Sequence, residues 1–151
     1  MSEKHEDAKL ILRLYDLRRE EVMRKARNWY FLEFNPESVQ DIQSTMMGEN
    51  SAYLRMVISY WDMAASLVNN GAIDAKMFAD SNGEQIGVFL KIEPFLEDMR
   101  RVLDAPTFLE HLERCVKSMP NAEDILTRTR ERFKKFRAMR EEAAKAAGEG
   151  K

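Results

Sequence analysis

The chain has 151 residues and a net charge of -2, with 44% hydrophobic and 33% charged side chains: enough apolar material for one core, and too much for wholesale disorder. Its single cysteine, Cys115, excludes an intrachain disulfide, and a pI of 5.8 is far from that of a dedicated nucleic-acid domain. The polar, acidic start lacks the features of a signal peptide, and Arg55 and Asp62 interrupt the longest apolar stretch, so no transmembrane segment and a cytoplasmic location are expected.

In chain order, the first helix is predicted from about Ser2 to Leu32. Ala8, Tyr15, Val22 and Trp29 recur at sevenfold spacing, and Ile11, Leu12, Ala26 and Tyr30 widen the stripe. Glu20/Arg24 and Glu21/Lys25 stand four apart with the acid first, the favourable order on a helix. Asn35 is placed to cap a short second helix beginning at Pro36, where a missing N–H costs nothing. This helix ends near Gly48.

The third helix spans about 51–70 and stops at Asn70-Gly71, a left-handed C-cap signal. Its polar residues Arg55, Ser59, Asp62, Ser66 and Asn69 fall at intervals of four, three, four and three, which confines them to one narrow stripe. The rest of the circumference is apolar, so this is the expected central helix.

Beyond the turn, Asp74 reads as an N-cap, with Ile73 and Phe78 in the two positions of a hydrophobic staple. A helix follows from about Gly83, and Pro94 must kink it or restart it. Thr107 to Glu110 has the spacing of a capping box, opening a helix with Leu109, Leu112 and Val116. Asn121 caps the last helix, whose stripe is Ile125, Thr129, Phe133, Phe136 and Ala143. The expected architecture is all-α: a single compact bundle of six to eight helices over residues 1–147, with long first and last helices around the central apolar one, and a frayed tail at 148–151.

Candidate chemistry is sparse. His111 and Cys115 share a helix face but two ligands do not make a metal site, and the other histidine is the distant His5. No nucleophile and base, phosphate loop or metal set is recognisable, so no catalytic residue, metal or cofactor is expected. Arg55, Ser59, Asp62 and Ser66 are the place to look for a small-molecule site, since they converge on one side of an otherwise buried element. A solvated sliver, or a buried link to neighbouring helices, is the competing structural role.

Charge is unevenly distributed. Residues 33–98 hold 3 basic and 11 acidic side chains, a net charge of -8. The last helix carries Arg128, Arg130, Arg132, Lys134, Lys135, Arg137 and Arg140, with only Glu131 opposing them between 128 and 140. Arg128, Arg130, Lys134, Lys135 and Arg137 form a candidate basic surface for nucleic acid or anionic membrane. Because these residues surround much of the helix, a solvated helix docked on the acidic middle is the preferred expectation.

The stretch Tyr53 to Asp74, followed by Phe78 and by Ile92-Glu-Pro-Phe-Leu-Glu-Asp-Met-Arg100, resembles a bacterial family of small helical proteins known only as a domain of unknown function. In that family a helix ending in Ala-x-x-Val/Leu enters a Gly-x-Ile-Asp turn, and a later helix closes on a Pro-x-x-x-x-x-Arg pattern. The resemblance covers roughly residues 8–101 and brings no activity with it. Some members of such families carry a membrane segment ahead of this domain, a feature not expected here. The expected function is a non-catalytic helical protein-interaction module, its partner another protein or a second copy. The alternatives are a small-molecule-binding protein or enzyme using the central polar stripe, and a weak nucleic-acid or membrane-surface binder using the last helix.

Overall fold

The computed structural model describes residues 3–150. Ser2, where the first helix was expected to begin, and Lys151, in the expected frayed tail, lie outside them. Among the described residues the secondary structure is helical, with no strand, and two compact units are present, Met1–Met119 and Pro120–Lys151.

In the first unit, the expected long first helix is two: α1 (Glu3–Arg19) and α2 (Glu21–Leu32). Glu20 leaves the helical region (φ -57°, ψ 144°) and its carboxylate accepts from the N–H groups of Val22 and Met23, at 3.1 and 3.0 Å. A glutamate read as an i,i+4 partner is therefore an N-cap, and those two donors hold its carboxyl below the usual range. The break resets the helix phase, so the expected sevenfold stripe is buried only at its end in α2, at Trp29 with the flanking Ala26 and Tyr30. Tyr15 and Val22 are 47% and 44% exposed, whereas Leu14, Met23, Ala26, Trp29 and Tyr30 are buried.

The second predicted helix also starts later than expected: α3 spans Val39–Met47. Ser38 accepts from Asp41 N–H at 3.1 Å, and Asp41 accepts in turn from Glu37 N–H at 2.8 Å. This reciprocal cap outcompetes Asn35, whose amide oxygen instead receives Lys91.

α4 (Ser51–Asn69) is central, packing against α2, α3, α5 (Ala75–Ser81), α6 (Glu84–Ile92) and α8 (Glu110–Lys117). Its C-terminus is a Schellman motif. Ala72 N–H bonds Leu67 C=O at 2.9 Å, Gly71 N–H bonds Val68 C=O at 3.0 Å, and Gly71 has φ 81°, where a side chain would be strained. Asp74 caps α5 through Met77 N–H at 2.9 Å, and the staple residues Ile73 and Phe78 are both buried.

Pro94 does restart the helix: α6 passes through a 3-10 turn (Glu93–Phe95) into α7 (Leu96–Val102). Before that turn, Lys91 closes the end of α2. Its ammonium donates to the carbonyls of Tyr30, Phe31 and Phe34 at 2.7, 3.2 and 2.8 Å, satisfying groups a helix C-terminus leaves open.

The Thr107–Glu110 capping box does not form. Leu109, buried and left-handed (φ 55°), occupies the N-cap position of α8, and Thr107 serves only as a carbonyl acceptor for Glu110 N–H. Burying Leu109 displaces the hydroxyl cap. In the second unit α9 spans Ala122–Glu149, with Asn121 at the N-cap position in a left-handed conformation and making no side-chain cap bond.

Candidate functional site

The polar stripe of α4 divides by partner. Asp62 accepts from Leu112 N–H at 2.9 Å, supplying from another helix the N-terminal cap that Leu109 cannot give α8. Asn69 donates to His111 C=O at 3.0 Å and approaches His111 Nδ1 at 3.3 Å. These two residues are thus the polar seam between α4 and α8. Ser66 donates to Met63 C=O at 2.6 Å, within its own helix. Arg55 and Ser59 are exposed, with partners one turn away at Ser51 and Met56.

His111 and Cys115 lie on α8 as expected, but in different settings. His111 belongs to the Asn69 seam, while Cys115 is buried and desolvation pushes its thiol above the usual range. A thiol so placed is a poor nucleophile. Among the described residues no group of three or more His, Cys, Asp or Glu side chains is arranged to hold a metal ion.

Arg18, Arg27, Asn82 and Glu84, none of them a site candidate from the sequence, form a connected polar cluster. Glu84, at the start of α6, receives the Arg27 guanidinium bidentately, with Nε at 3.0 and 2.9 Å and Nη2 at 2.8 Å, and also accepts Trp61 Nε1–H at 3.1 Å. Arg27 donates further to Arg18 C=O, and Arg18 donates to Asn82 Oδ1. The Arg18 guanidinium lies 5.4 Å from the ring centres of both Trp61 and Tyr15. Beside it, Tyr60 donates to Leu14 C=O at 2.6 Å, and burial pushes its phenol up to about 12 against the pull of Arg18. With the Arg27 and Glu84 side chains only 26% and 18% exposed, the network clamps α1, α2, α4 and α6 together. Nothing in the sequence sets Arg27 apart from the neighbouring Arg24 and Lys25, and its partner, 57 residues away, has no local signature.

A cleft of about 390 Å³ opens between α3 and the 3-10 turn with α7. Gln40 and Gln43 line one wall, Asp98 and Arg101 the other, with Val39, Pro94, Phe95 and Val102 as apolar lining and the Ser38 cap at one end. Asp98 and Arg101 pair with each other at 2.6 Å, and Val102 is 46% exposed. This volume lies within the range of ligand-binding clefts. Pro94 is legible from the chain as a helix breaker, but its meeting with Val39 across a cleft is not.

On α9, Arg128, Arg130, Lys134, Lys135 and Arg137 are all exposed, and Arg128 pairs with Asp124 at 3.2 Å. Among the described residues, no helix is long and apolar enough to cross a membrane.

The chain belongs to the family described as a domain of unknown function, DUF4760, whose model matches residues 4–119. That span ends where the first compact unit does. No curated protein and no solved structure matches the chain.

Proposed function

We propose that the first unit is a non-catalytic protein-interaction module whose docking site is the cleft between α3 and α7. The observation that carries this reading is the lining of that cleft. Gln40 and Gln43 offer paired amide donors and acceptors to a polypeptide backbone, and Pro94, Phe95 and Val102 offer an apolar seat for one of its side chains. The internal Asp98–Arg101 pair leaves no strong net field to select a small ion. An extended or helical segment of another protein with a central aliphatic residue suits such a surface. Ligand binding at Arg55, Ser59, Asp62 and Ser66 remains the competing proposal, and the commitment of Asp62 to α8 favours a structural role for that stripe.

The test is a photo-crosslinking residue at Gln43, introduced in cells of the source organism, with the cross-linked protein identified and then purified. Val102→Asp and Gln43→Arg should each weaken binding of that purified partner by about tenfold, since a charge in an apolar seat or a lost amide pair costs on the order of 1–2 kcal/mol. Unchanged affinity in both variants, with the fold intact, would place the interaction elsewhere.

A further inference from the structure

We propose that α9 is an amphipathic surface anchor that lies along an anionic phospholipid membrane. From Arg130 to Gly150 every residue except the half-buried Phe133 is exposed. That stretch nevertheless holds large apolar side chains, Phe136 at 53% and Met139 at 62% exposure. Phe133, Phe136, Met139, Ala143 and Ala147 succeed one another at intervals of three, three, four and four, which on a helix draws one apolar stripe.

The charges are ordered around that stripe. At 3.6 residues per turn, Arg132 and Arg140 fall within its edges, and Lys135 and Arg137 lie just outside, one on each side. Glu131, Glu141, Glu142 and Glu149 occupy the opposite side of the helix, together with Lys134 and Lys145. Among the described residues, Lys134, Lys135, Arg137 and Arg140 form no ion pair. Arg132, Lys135, Arg137 and Arg140 can therefore snorkel to lipid phosphates while Phe136 and Met139 enter the acyl boundary, and the acids stay in water.

A nucleic-acid grip would use the same cations but would leave the apolar stripe between them without a role. The stripe is too short and too interrupted by charge for insertion across the bilayer, which agrees with the absence of a spanning helix among the described residues. The chemistry that matches both features is a sheet of anionic headgroups over hydrocarbon.

The experiment uses the full chain and two sets of vesicles, pure phosphatidylcholine and phosphatidylcholine with about 30 mol % phosphatidylserine. Co-sedimentation should be at least about tenfold stronger on the anionic set and should weaken as salt rises. Phe136→Gln with Met139→Gln keeps helix propensity and should lower that binding by about tenfold. Lys135→Gln with Arg137→Gln and Arg140→Gln should lower it comparably and flatten its salt dependence. Circular dichroism confirms that each variant keeps its helix. Failure to bind anionic vesicles at low salt would overturn the proposal. So would binding indifferent to the Phe136/Met139 change, or duplex DNA or RNA binding that is tighter than vesicle binding at near-physiological salt.

Discussion

α4 and α9 are both long helices, of 19 and 28 residues, and they are held helical by opposite means. α4 buries Leu54, Val57, Ile58, Tyr60, Trp61, Ala64, Ala65 and Val68, and its polar residues Asp62 and Asn69 are spent on a neighbour. Along α9, Leu126 and Thr129 are the only residues in the buried class. Its helicity rests on alanines and other good helix formers, with Asp124 and Arg128 paired one turn apart. The difference teaches that helix propensity and helix burial are separate properties: one helix is made by its surroundings, the other presents a face to them.

The strongest way to break this comparison is Trp61→Ala. Trp61 is 1% exposed, meets Tyr60 and Phe78 edge-on, and donates to Glu84, so its removal leaves a cavity and takes one donor from the Glu84 carboxylate. A loss of about 3–5 kcal/mol is expected in chemical denaturation. A loss below about 1 kcal/mol would mean that α4 is not the centre of the core.

Next in size is Glu84→Gln, which sharpens what the surroundings contribute. The substitution keeps the shape but removes the charge facing Arg27, and a half-buried guanidinium without its carboxylate is costly. Destabilisation of about 2–3 kcal/mol is expected, with much of it recovered when Arg27→Met is added. A double variant no better than Glu84→Gln alone would show that the pair is not the source of the effect.

Asp62→Ala isolates the polar seam between α4 and α8. Loss of a helix cap is worth about 1 kcal/mol, and here the cap comes from another helix. Faster amide exchange confined to the first turn of α8 is the expected signature. Uniform exchange changes would mean that Asp62 acts otherwise.

Glu113 supplies a pH arm at the same helix. Burial raises its carboxyl, but Lys117 and Arg100, at 3.1 and 3.2 Å, outweigh burial and hold it below the usual range. A carboxyl depressed in the folded state stabilises above its unfolded pKa, and that contribution disappears as pH falls through the folded value. Stability should therefore decline below about pH 4, and Glu113→Gln should make this decline shallower. An identical acid limb in the variant would remove Glu113 as its cause.

What could be read from the chain follows the same division. Local rules placed the Asn70-Gly71 stop, the Asp74 cap and an interruption at Pro94, left open between kink and restart, because each depends on residues within one or two turns. They missed Glu20 and Ser38 as caps because several residues there could cap, and tertiary packing chose among them. The Thr107 box failed for the same reason, the burial of Leu109 overriding a local hydrogen bond. The stripe on α4 was visible as a stripe, but not that Asp62 and Asn69 would meet α8, since hydrogen bonds spanning 50 and 42 residues leave no periodic trace. Nor could the α3/α7 cleft be seen, because its two walls are each unremarkable alone.

The smallest expected effect completes the comparison. Phe136 and Trp61 are both large aromatics at helical spacing in apolar stripes, and the pattern alone ranks them alike. Phe136 is 53% exposed against 1% for Trp61, so little apolar area returns to water when the protein unfolds. Phe136→Gln is therefore expected to change stability by less than about 0.5 kcal/mol, within the range of ordinary surface substitutions, when measured without lipid. The same change is expected to matter when a membrane is supplied. A loss of more than about 2 kcal/mol in buffer would instead make Phe136 a core residue in solution, and α9 a helix held by burial as α4 is.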